Sequence, residues 1–177
     1  FANRKIGPKF EKVINHDLGT QHFKSHLYED QINFERLRMY RLNRVIEQLQ
    51  HHDVGGCILF DPINIRYATD SRNMSMFTMH ELVRFVFISA GGKVILFDYP
   101  KSEHLSNHLC TIDEIRSVSS WDFFSANNFV DKNAQHWAAM VQDLMREHCP
   151  GNNRLAIDIS DPVGIQMLLK QFNVELL

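Results

Sequence analysis

The chain has 177 residues, 44% of them hydrophobic and 23% charged, which is an ordinary globular composition and enough length for one compact domain. A formal net charge of −2 offers no basic face for a nucleic-acid backbone, so we expect no nucleic-acid partner. No stretch approaches the roughly 20 apolar residues of a membrane span. The three cysteines form no C-x-x-C pair and are typical of reduced thiols. We therefore expect a cytoplasmic protein without a membrane partner.

The first 32 residues carry scattered charge without a steady hydrophobic period, and we interpret residues 1–32 as an N-terminal arm. The pattern changes at Asn33, an N-cap candidate, after which apolar residues recur at helical spacing. This predicts a helix that extends to about residue 53. Its predicted inward face consists of Phe34, Leu37, Met39 or Tyr40, Val45, Ile46 and Leu49.

The run "VGGCILF", residues 54–60, is apolar throughout and predicts a short buried strand in which two glycines allow close packing. The polar stretch "DPINIRYATDSRNM", residues 61–74, follows it directly. Ligands of open α/β sheets bind outside the carboxyl ends of strands, so this stretch is a candidate binding loop. The simpler interpretation is that it only ends the strand, with Asn64 and Asp70 capping turns.

Two β-rich runs flank Gly91-Gly92 and predict an antiparallel hairpin, because this dipeptide accepts the positive φ angles of a tight turn. Beyond the hairpin the sequence predicts a short helix at 101–109 and a strand within 111–121. A linker-like stretch at 122–133 follows.

Residues 134–149 predict another helix, which Pro150-Gly151 ends. Its predicted inward residues are Trp137, Val141, Leu144 and Met145. A strand at 154–159 precedes a helix with Asp161 as N-cap and Pro162 at its first position. The last residues, 174–177, predict a final strand.

Alternation of this kind predicts an α/β domain over residues 33–177. We expect three layers, with a mixed sheet of about six strands covered by helices.

The chain has ten histidines, and two pairs are spaced i, i+4: His22 with His26, and His104 with His108. On a helix such pairs share a face and can bind a transition metal. A zinc site needs a third protein ligand, and neither pair has the Glu of an HExxH motif. We interpret both pairs as exposed polar residues and assign no metal ligand.

A nucleophile motif is also lacking, because the sequence contains no G-x-S-x-G. Asp158 and Asp161 follow a predicted strand, as carboxylates at a ligand-facing edge would, but helix capping explains Asp161 more simply. The residues themselves specify no reaction, and we assign no catalytic residue.

The run "FDPINIRYATDSRNM", residues 60–74, is followed about ten residues later by "VRFVFISAGGKVILFDY", residues 83–99. Together they resemble the N-terminal domain of the creatinase, prolidase and aminopeptidase P family, the pita-bread metalloenzymes. Within that family the first run is most similar to the dimethylsulfoniopropionate lyase-like branch. The resemblance implies ribonuclease-H-like topology for the α/β domain.

The resemblance also implies a larger parent enzyme. In this family a C-terminal catalytic domain binds two divalent metal ions through two Asp, one His and two Glu, and the protein is a homodimer. None of those ligands can be placed on this chain, so we expect no cofactor here. The chain by itself is expected to be inactive, and its parent to be a metallopeptidase-family hydrolase or a related lyase.

In relatives the N-terminal domain contributes dimer contacts and a wall of the active-site pocket, often the partner subunit's. By position, the resemblance places that wall in the segment from Asp70 to Arg84. The candidate wall residues are Arg72, Phe77, His80 and Arg84. The residues expected to brace the preceding turn are Asn64, Tyr67 and Asp70.

Two functional hypotheses remain. The first is a non-catalytic N-terminal domain of such a metalloenzyme, and the second is a free-standing small-molecule or protein-binding module with the same fold. The chain lacks an initiator Met and stops at "NVELL", in what is predicted to be a strand, so we expect a fragment of a longer protein. This favours the first hypothesis.

Overall fold

A computed structural model describes residues 32–73, 83–122 and 126–171. The chain divides into two compact units, Phe1–Arg36 and Leu37–Leu177. In the described part of the first unit, the side-chain oxygen of Asn33 accepts a 2.8 Å hydrogen bond from the backbone N–H of Arg36. This is the bond expected of a helix N-cap.

The described elements confirm the α/β class. The helices are α1 (Phe34–His51), α2 (Pro62–Thr69), α3 (Val130–His148) and α4 (Pro162–Gln171). The strands are β1 (Gly56–Leu59), β2 (Phe85–Ser89), β3 (Val94–Asp98), β4 (Glu114–Ser117) and β5 (Leu155–Ile157). Single turns of 3₁₀ helix occupy Glu103–Leu105 and Asn127–Phe129. None of the described helices is long and apolar enough to cross a membrane.

The five described strands form one mixed sheet in the order β4-β3-β2-β1-β5. β2 is antiparallel to both of its neighbours, whereas β1 pairs with β5, and β3 with β4, in parallel. Strands β1, β3, β4 and β5 therefore run in one direction and end at the same edge of the sheet, here named the carboxyl edge. The predicted strand at 174–177 lies outside the described residues.

Helices cover both faces of the sheet, which confirms the three layers. On one face, α3 and α4 pack over an aromatic core in which the rings of Phe85 and Phe97 stack with centroids 4.4 Å apart. On the other face, α1 and α2 pack over aliphatic strand residues such as Val86, Ile88 and Leu96. The predicted inward residues of α3 are all buried: Trp137, Val141, Leu144 and Met145.

The predicted hairpin and the close packing of the first strand are both confirmed. β2 and β3 pair in antiparallel register, and Gly92 in the turn between them has a φ of +94°. A Cβ at Gly55 would collide with the backbone oxygen of Asn152, so only glycine fits there.

The predicted inward face of α1 is only partly correct. Leu49 is buried as predicted, but Leu42, which was not on the predicted face, is the other fully buried residue of this helix. Tyr40 is 58% exposed and Met39 is 36% exposed. The buried face of α1 was thus predicted incorrectly in the N-terminal half of the helix.

Three predicted loop and helix boundaries also differ. Residues 62–69, expected to be a polar loop, form α2 because the Asp61 side chain accepts hydrogen bonds from the backbone N–H groups of Ile63 and Asn64. The short helix expected at 101–109 is one 3₁₀ turn. The linker expected at 122–133 already contains the start of α3 at Val130.

We predict that one thiol of the native chain reacts rapidly. Burial raises the pKa of the Cys57 thiol to about 12 and that of Cys149 to about 11, whereas Cys110 is exposed. Because the thiolate is the reacting form, Cys57 and Cys149 stay protonated and unreactive at pH 8. Titration with an aromatic disulfide reagent should show one fast thiol, and three after denaturation. A Cys110→Ser control should remove the fast phase. Rapid reaction of that control would contradict the prediction.

Candidate functional site

The carboxyl edge carries two groups of hydrogen-bonded residues. In each group, side chains or backbone N–H groups surround one carboxylate. The Asp98 cluster consists of Ser71, Asn73, Arg84, Asp98 and Ser106. The Asp158 cluster consists of Phe60, Asp61, Asn64, Asp158 and Ile159. The first carboxylate is the last residue of β3, and the second directly follows β5. Sheet topology therefore places both at the edge where α/β proteins bind ligands.

Asp98 lies in a buried ion pair with Arg84. The Arg84 Nε donates to Asp98 Oδ2 over 2.9 Å, and the two side chains are only 2% and 1% exposed. The other carboxylate oxygen, Oδ1, accepts 2.8 Å hydrogen bonds from the Asn73 side-chain amide and the backbone N–H of Tyr99. Each carboxylate oxygen thus has at least one donor, which is what a buried charge requires.

A buried set of hydroxyl groups extends the Asp98 cluster toward α2. The second guanidinium nitrogen of Arg84 donates to Ser71 Oγ, which also shares a hydrogen bond with Ser106 Oγ. Thr69 accepts with its side-chain oxygen from the backbone N–H of Ser71, and its carbonyl accepts from the hydroxyl of Thr111. The chain leaving α2 is therefore fixed against the segment that follows β3.

Asp158 accepts four hydrogen bonds from the end of β1 and its own neighbour. Its Oδ1 accepts from the backbone N–H groups of Phe60 and Ile159, at 2.8 Å and 2.7 Å. Its Oδ2 accepts from the Asp61 backbone N–H at 3.0 Å and from the Asn64 side-chain amide at 3.1 Å. A carboxylate has about four acceptor positions, so this one is fully used in joining β5 to the start of α2.

The predicted wall residues have different positions. Arg72 is 65% exposed, and its guanidinium lies 3.8 Å from Asp70. Arg84 is buried and bonded to Asp98 and Ser71, so its charge faces the interior of the domain. Phe77 and His80 lie outside the described residues. The wall role of the four residues stays a prediction.

The three residues expected to brace the turn make separate contacts. Asn64 donates to Asp158, as described above. Tyr67 is 40% exposed, with the Arg41 guanidinium 5.7 Å from its ring centroid. Asp70 ends α2 with a φ of 63° and accepts a 2.8 Å bond from Arg38 Nε. Asn64 and Asp70 thus contact residues distant in the sequence, and Tyr67 contacts a neighbouring helix. The bracing role of the three residues stays a prediction.

The remaining sequence candidates have structural roles in the described residues. Asp161 caps α4 by accepting from the backbone N–H groups of Val163 and Gly164, as predicted. His104 and His108 are both exposed, and His104 contacts the carbonyl of Lys101. No group of three or more potential metal ligands occurs within residues 32–73, 83–122 and 126–171. His22 and His26 lie outside these ranges.

Sequence reasoning missed the residues that form most of the Asp98 cluster. Asp98, Ser71 and Ser106 are buried polar side chains, and no local motif marks them. One signal was present, since Asp98 is an acidic residue at the end of an otherwise apolar strand, "VILFD". Such a residue implies a buried partner.

Comparison with known proteins identifies the family. Residues 41–176 match the sequence model of the creatinase/prolidase N-terminal domain. The chain belongs to this family. The match covers most of the predicted α/β domain, while the predicted boundary between an arm at 1–32 and a domain at 33–177 stays a prediction.

Relatives of the domain are found in enzymes of two kinds. The chain is 36% identical over 126 residues to the dimethylsulfoniopropionate lyase DddP of Roseovarius nubinhibens. The aligned region covers 71% of this chain and 28% of the lyase. It is thus similar to less than a third of that relative's length.

Solved structures of peptidases share the fold. A Xaa-Pro aminopeptidase structure from Streptococcus pyogenes aligns with a TM-score of 0.53 at 14% identity, covering 80% of this chain and 90% of that one. The N-terminal domain of the cytoplasmic peptidase PepQ from Mycobacterium tuberculosis H37Rv aligns with a TM-score of 0.51 at 14% identity, covering 78% and 91%. At these identities the likeness shows the creatinase-type N-terminal fold alone.

We predict that Arg84→Met lowers the free energy of unfolding by about 3–5 kcal/mol, because it leaves the buried Asp98 carboxylate without its cation. Urea unfolding measures the change. The double variant Arg84→Met/Asp98→Asn should lose less than the sum of the two single variants. Arg146→Met is the matched control, since Arg146 is 76% exposed in its pair with Asp143. Equal unfolding midpoints for Arg84→Met and Arg146→Met would contradict a structural role for the buried pair.

We also predict that Asn64→Ala destabilises the chain by about 0.5–1.5 kcal/mol, through loss of one hydrogen bond to Asp158. Asp70→Ala should cost more than Asp70→Asn, because Asn tolerates the left-handed backbone of this position and keeps an acceptor for Arg38. Thermal melts of the three variants compare these effects. An unchanged melting temperature for Asn64→Ala, or equal values for the two Asp70 variants, would remove the bracing role.

Proposed function

We propose that this chain is the non-catalytic N-terminal domain of a pita-bread metalloenzyme. In the proposal it contributes dimer contacts and a wall of the active-site pocket, and the parent is a peptidase-like hydrolase or a lyase. The observation that carries the proposal is the family match over residues 41–176. The similar proteins named above include both a lyase and peptidases, so the reaction class of the parent stays open between these two.

The described polar clusters support a positioning role over a chemical one. Asp98 and Asp158 accept their hydrogen bonds from groups of the domain itself. Neither carboxylate is left available as a general base or metal ligand in this arrangement. Both act on the backbone at the carboxyl edge, which is where a pocket wall has to be held in place.

Within the proposed wall, Arg72 and Arg84 have separate roles. Arg72 is exposed and forms only a 3.8 Å pair with Asp70 among the described residues, so its guanidinium is able to turn to an anionic substrate group. Arg84 instead positions the segment through Asp98. Phe77 and His80 are proposed as the apolar and polar contacts of the same wall, on the basis of the family resemblance.

The metal centre is proposed for the parent's C-terminal domain. A dinuclear site for hard cations needs several converging carboxylates to replace water and offset charge. The described residues do not fit such a site, since no three His, Cys, Asp or Glu side chains among them come together as metal ligands. A cytoplasmic location and a homodimer complete the proposal, the former in keeping with the cytoplasmic peptidase whose N-terminal domain has this fold.

We predict that the 177-residue chain alone binds no stoichiometric metal and has neither peptidase nor lyase activity. The measurement is elemental analysis after dialysis, with Xaa-Pro dipeptide and dimethylsulfoniopropionate assays under added manganese, zinc or iron. The parent protein is the positive control, with about two metals per subunit expected for a dinuclear centre. Stoichiometric metal in the chain alone, or turnover that a chelator abolishes, would show that the catalytic site lies in this domain.

The same assays on the parent test the wall. Arg72→Ala, Phe77→Ala and His80→Ala should raise KM or lower kcat without moving the melting temperature, because they contact substrate. Arg146→Ala, an exposed control on α3, should leave the kinetics unchanged. Unchanged kinetics in all three wall variants would contradict this part of the proposal.

A further inference from the structure

A groove that the proposed function does not use lies on the sheet face covered by α1 and α2. Its volume is about 610 Å³, within the range of specific binding sites. The floor is apolar and is formed by Val45, Leu49, Val54 and Ala156. The groove is therefore bounded by the C-terminal half of α1 on one side and by β5, the last of the described strands in the sheet order, on the other.

Exposed apolar side chains extend this floor onto the surface. Tyr67 lines the groove while 40% exposed, and Ile63, one helical turn earlier on α2, is 68% exposed. Tyr40 is 58% exposed, next to the lining residue Arg44 that lies over its ring. Single exposed apolar residues are ordinary, but a contiguous set beside an apolar groove marks an interaction surface.

The rim of the groove carries a positive charge at Arg44. Among the described residues that line the groove, none is acidic. Arg41 reaches the same wall by lying over the ring of Tyr67. Among the described residues, neither Arg41 nor Arg44 has a carboxylate within ion-pair distance, in contrast to Arg38, which pairs with Asp70. Two guanidinium groups beside the groove are thus available to an outside carboxylate.

We propose that this groove binds an acidic amphipathic helix of another polypeptide. Apolar side chains at i, i+3, i+4 and i+7 of that helix fill the floor, and carboxylates flanking them pair with Arg41 and Arg44. The exposed side chains of Tyr40, Ile63 and Tyr67 add apolar surface outside the groove, which a helix can cover and a molecule confined to the groove cannot.

A second copy of this chain fits the groove less well. The exposed face of α3 carries both signs of charge, for example Asp143 and Arg146 in an ion pair. The exposed Leu169 of α4 is followed by the exposed Lys170 rather than by an acidic residue. At these positions neither α3 nor α4 presents an apolar face with acidic flanks.

The test uses a fluorescent helical peptide of about 18 residues, long enough to form a helix in water, with Leu on one face and Glu beside it. Two control peptides replace Glu by Lys, or Leu by Ser. Binding to the 177-residue chain is followed by fluorescence anisotropy. Arg44→Glu is the test variant and Arg146→Glu the matched control, since both arginines are exposed on helices.

The Glu peptide should bind the wild-type chain, and both control peptides should bind it at least about tenfold more weakly. Arg44→Glu should weaken the Glu peptide by a similar factor and strengthen the Lys peptide, while Arg146→Glu changes neither. Absence of binding, equal binding of the Glu and Lys peptides, or equal effects of the two variants would overturn the proposal. So would a wild-type dimer in sedimentation velocity that Arg44→Glu dissociates, because a second copy would then occupy the groove.

Discussion

The buried ion pair between Arg84 and Asp98 is the interaction on which the carboxyl edge depends. Removing two charges from water is costly, and the cost is offset only when the remaining acceptor positions are also satisfied. Asn73 and the backbone of Tyr99 supply those bonds. Since Asn73 and Arg84 lie on either side of residues 74–82, one carboxylate holds both flanks of that segment. The buried Asp98 carboxylate needs hydrogen-bond donors, and the groups that supply them are thereby fixed at this part of the edge.

Asp158, which is partly buried, fixes the backbone at the β5 side of the same carboxyl edge. Four donors surround its carboxylate: two are backbone N–H groups of the connection between β1 and α2, one is the Asn64 side chain on α2, and one is the N–H of Ile159. The parallel pairing of β1 with β5 brings this carboxylate within reach of that connection. In both clusters, a carboxylate at the end of one strand holds the backbone of segments that the sheet brings next to it. Neither carboxylate is a free acid or base.

The groove lies on the sheet face covered by α1 and α2. It forms because these two helices cover that face incompletely. Helix α1 fully buries only Leu42 and Leu49, and α2 has eight residues. These two helices cover the central strands, but Ala156 on the edge strand β5 remains partly exposed as part of the groove floor. Because the described helices do not fully cover Ala156, the groove has space for a further helix.

The sequence by itself determined the fold class, the family and the elements that have a strong local pattern. The hairpin at Gly91-Gly92, the inward face of α3 and the capped start of α4 all follow from turn chemistry or periodicity. Helix α2 was missed because its polar residues were assigned to a loop, although its Asp-Pro start is the same signal as at Asp161 and its buried Pro62, Ile65 and Thr69 have helical spacing.

Only the tertiary structure decided which polar side chains meet. Asp98 is 14 residues from Arg84 and 25 from Asn73, and Asp158 is 94 residues from Asn64. Local sequence patterns carry information about neighbours within a few residues, whereas these partners are brought together by strand order. The groove likewise exists only because α1, α2 and β5 converge, so neither its apolar floor nor the arginines beside it could be recognised along the chain.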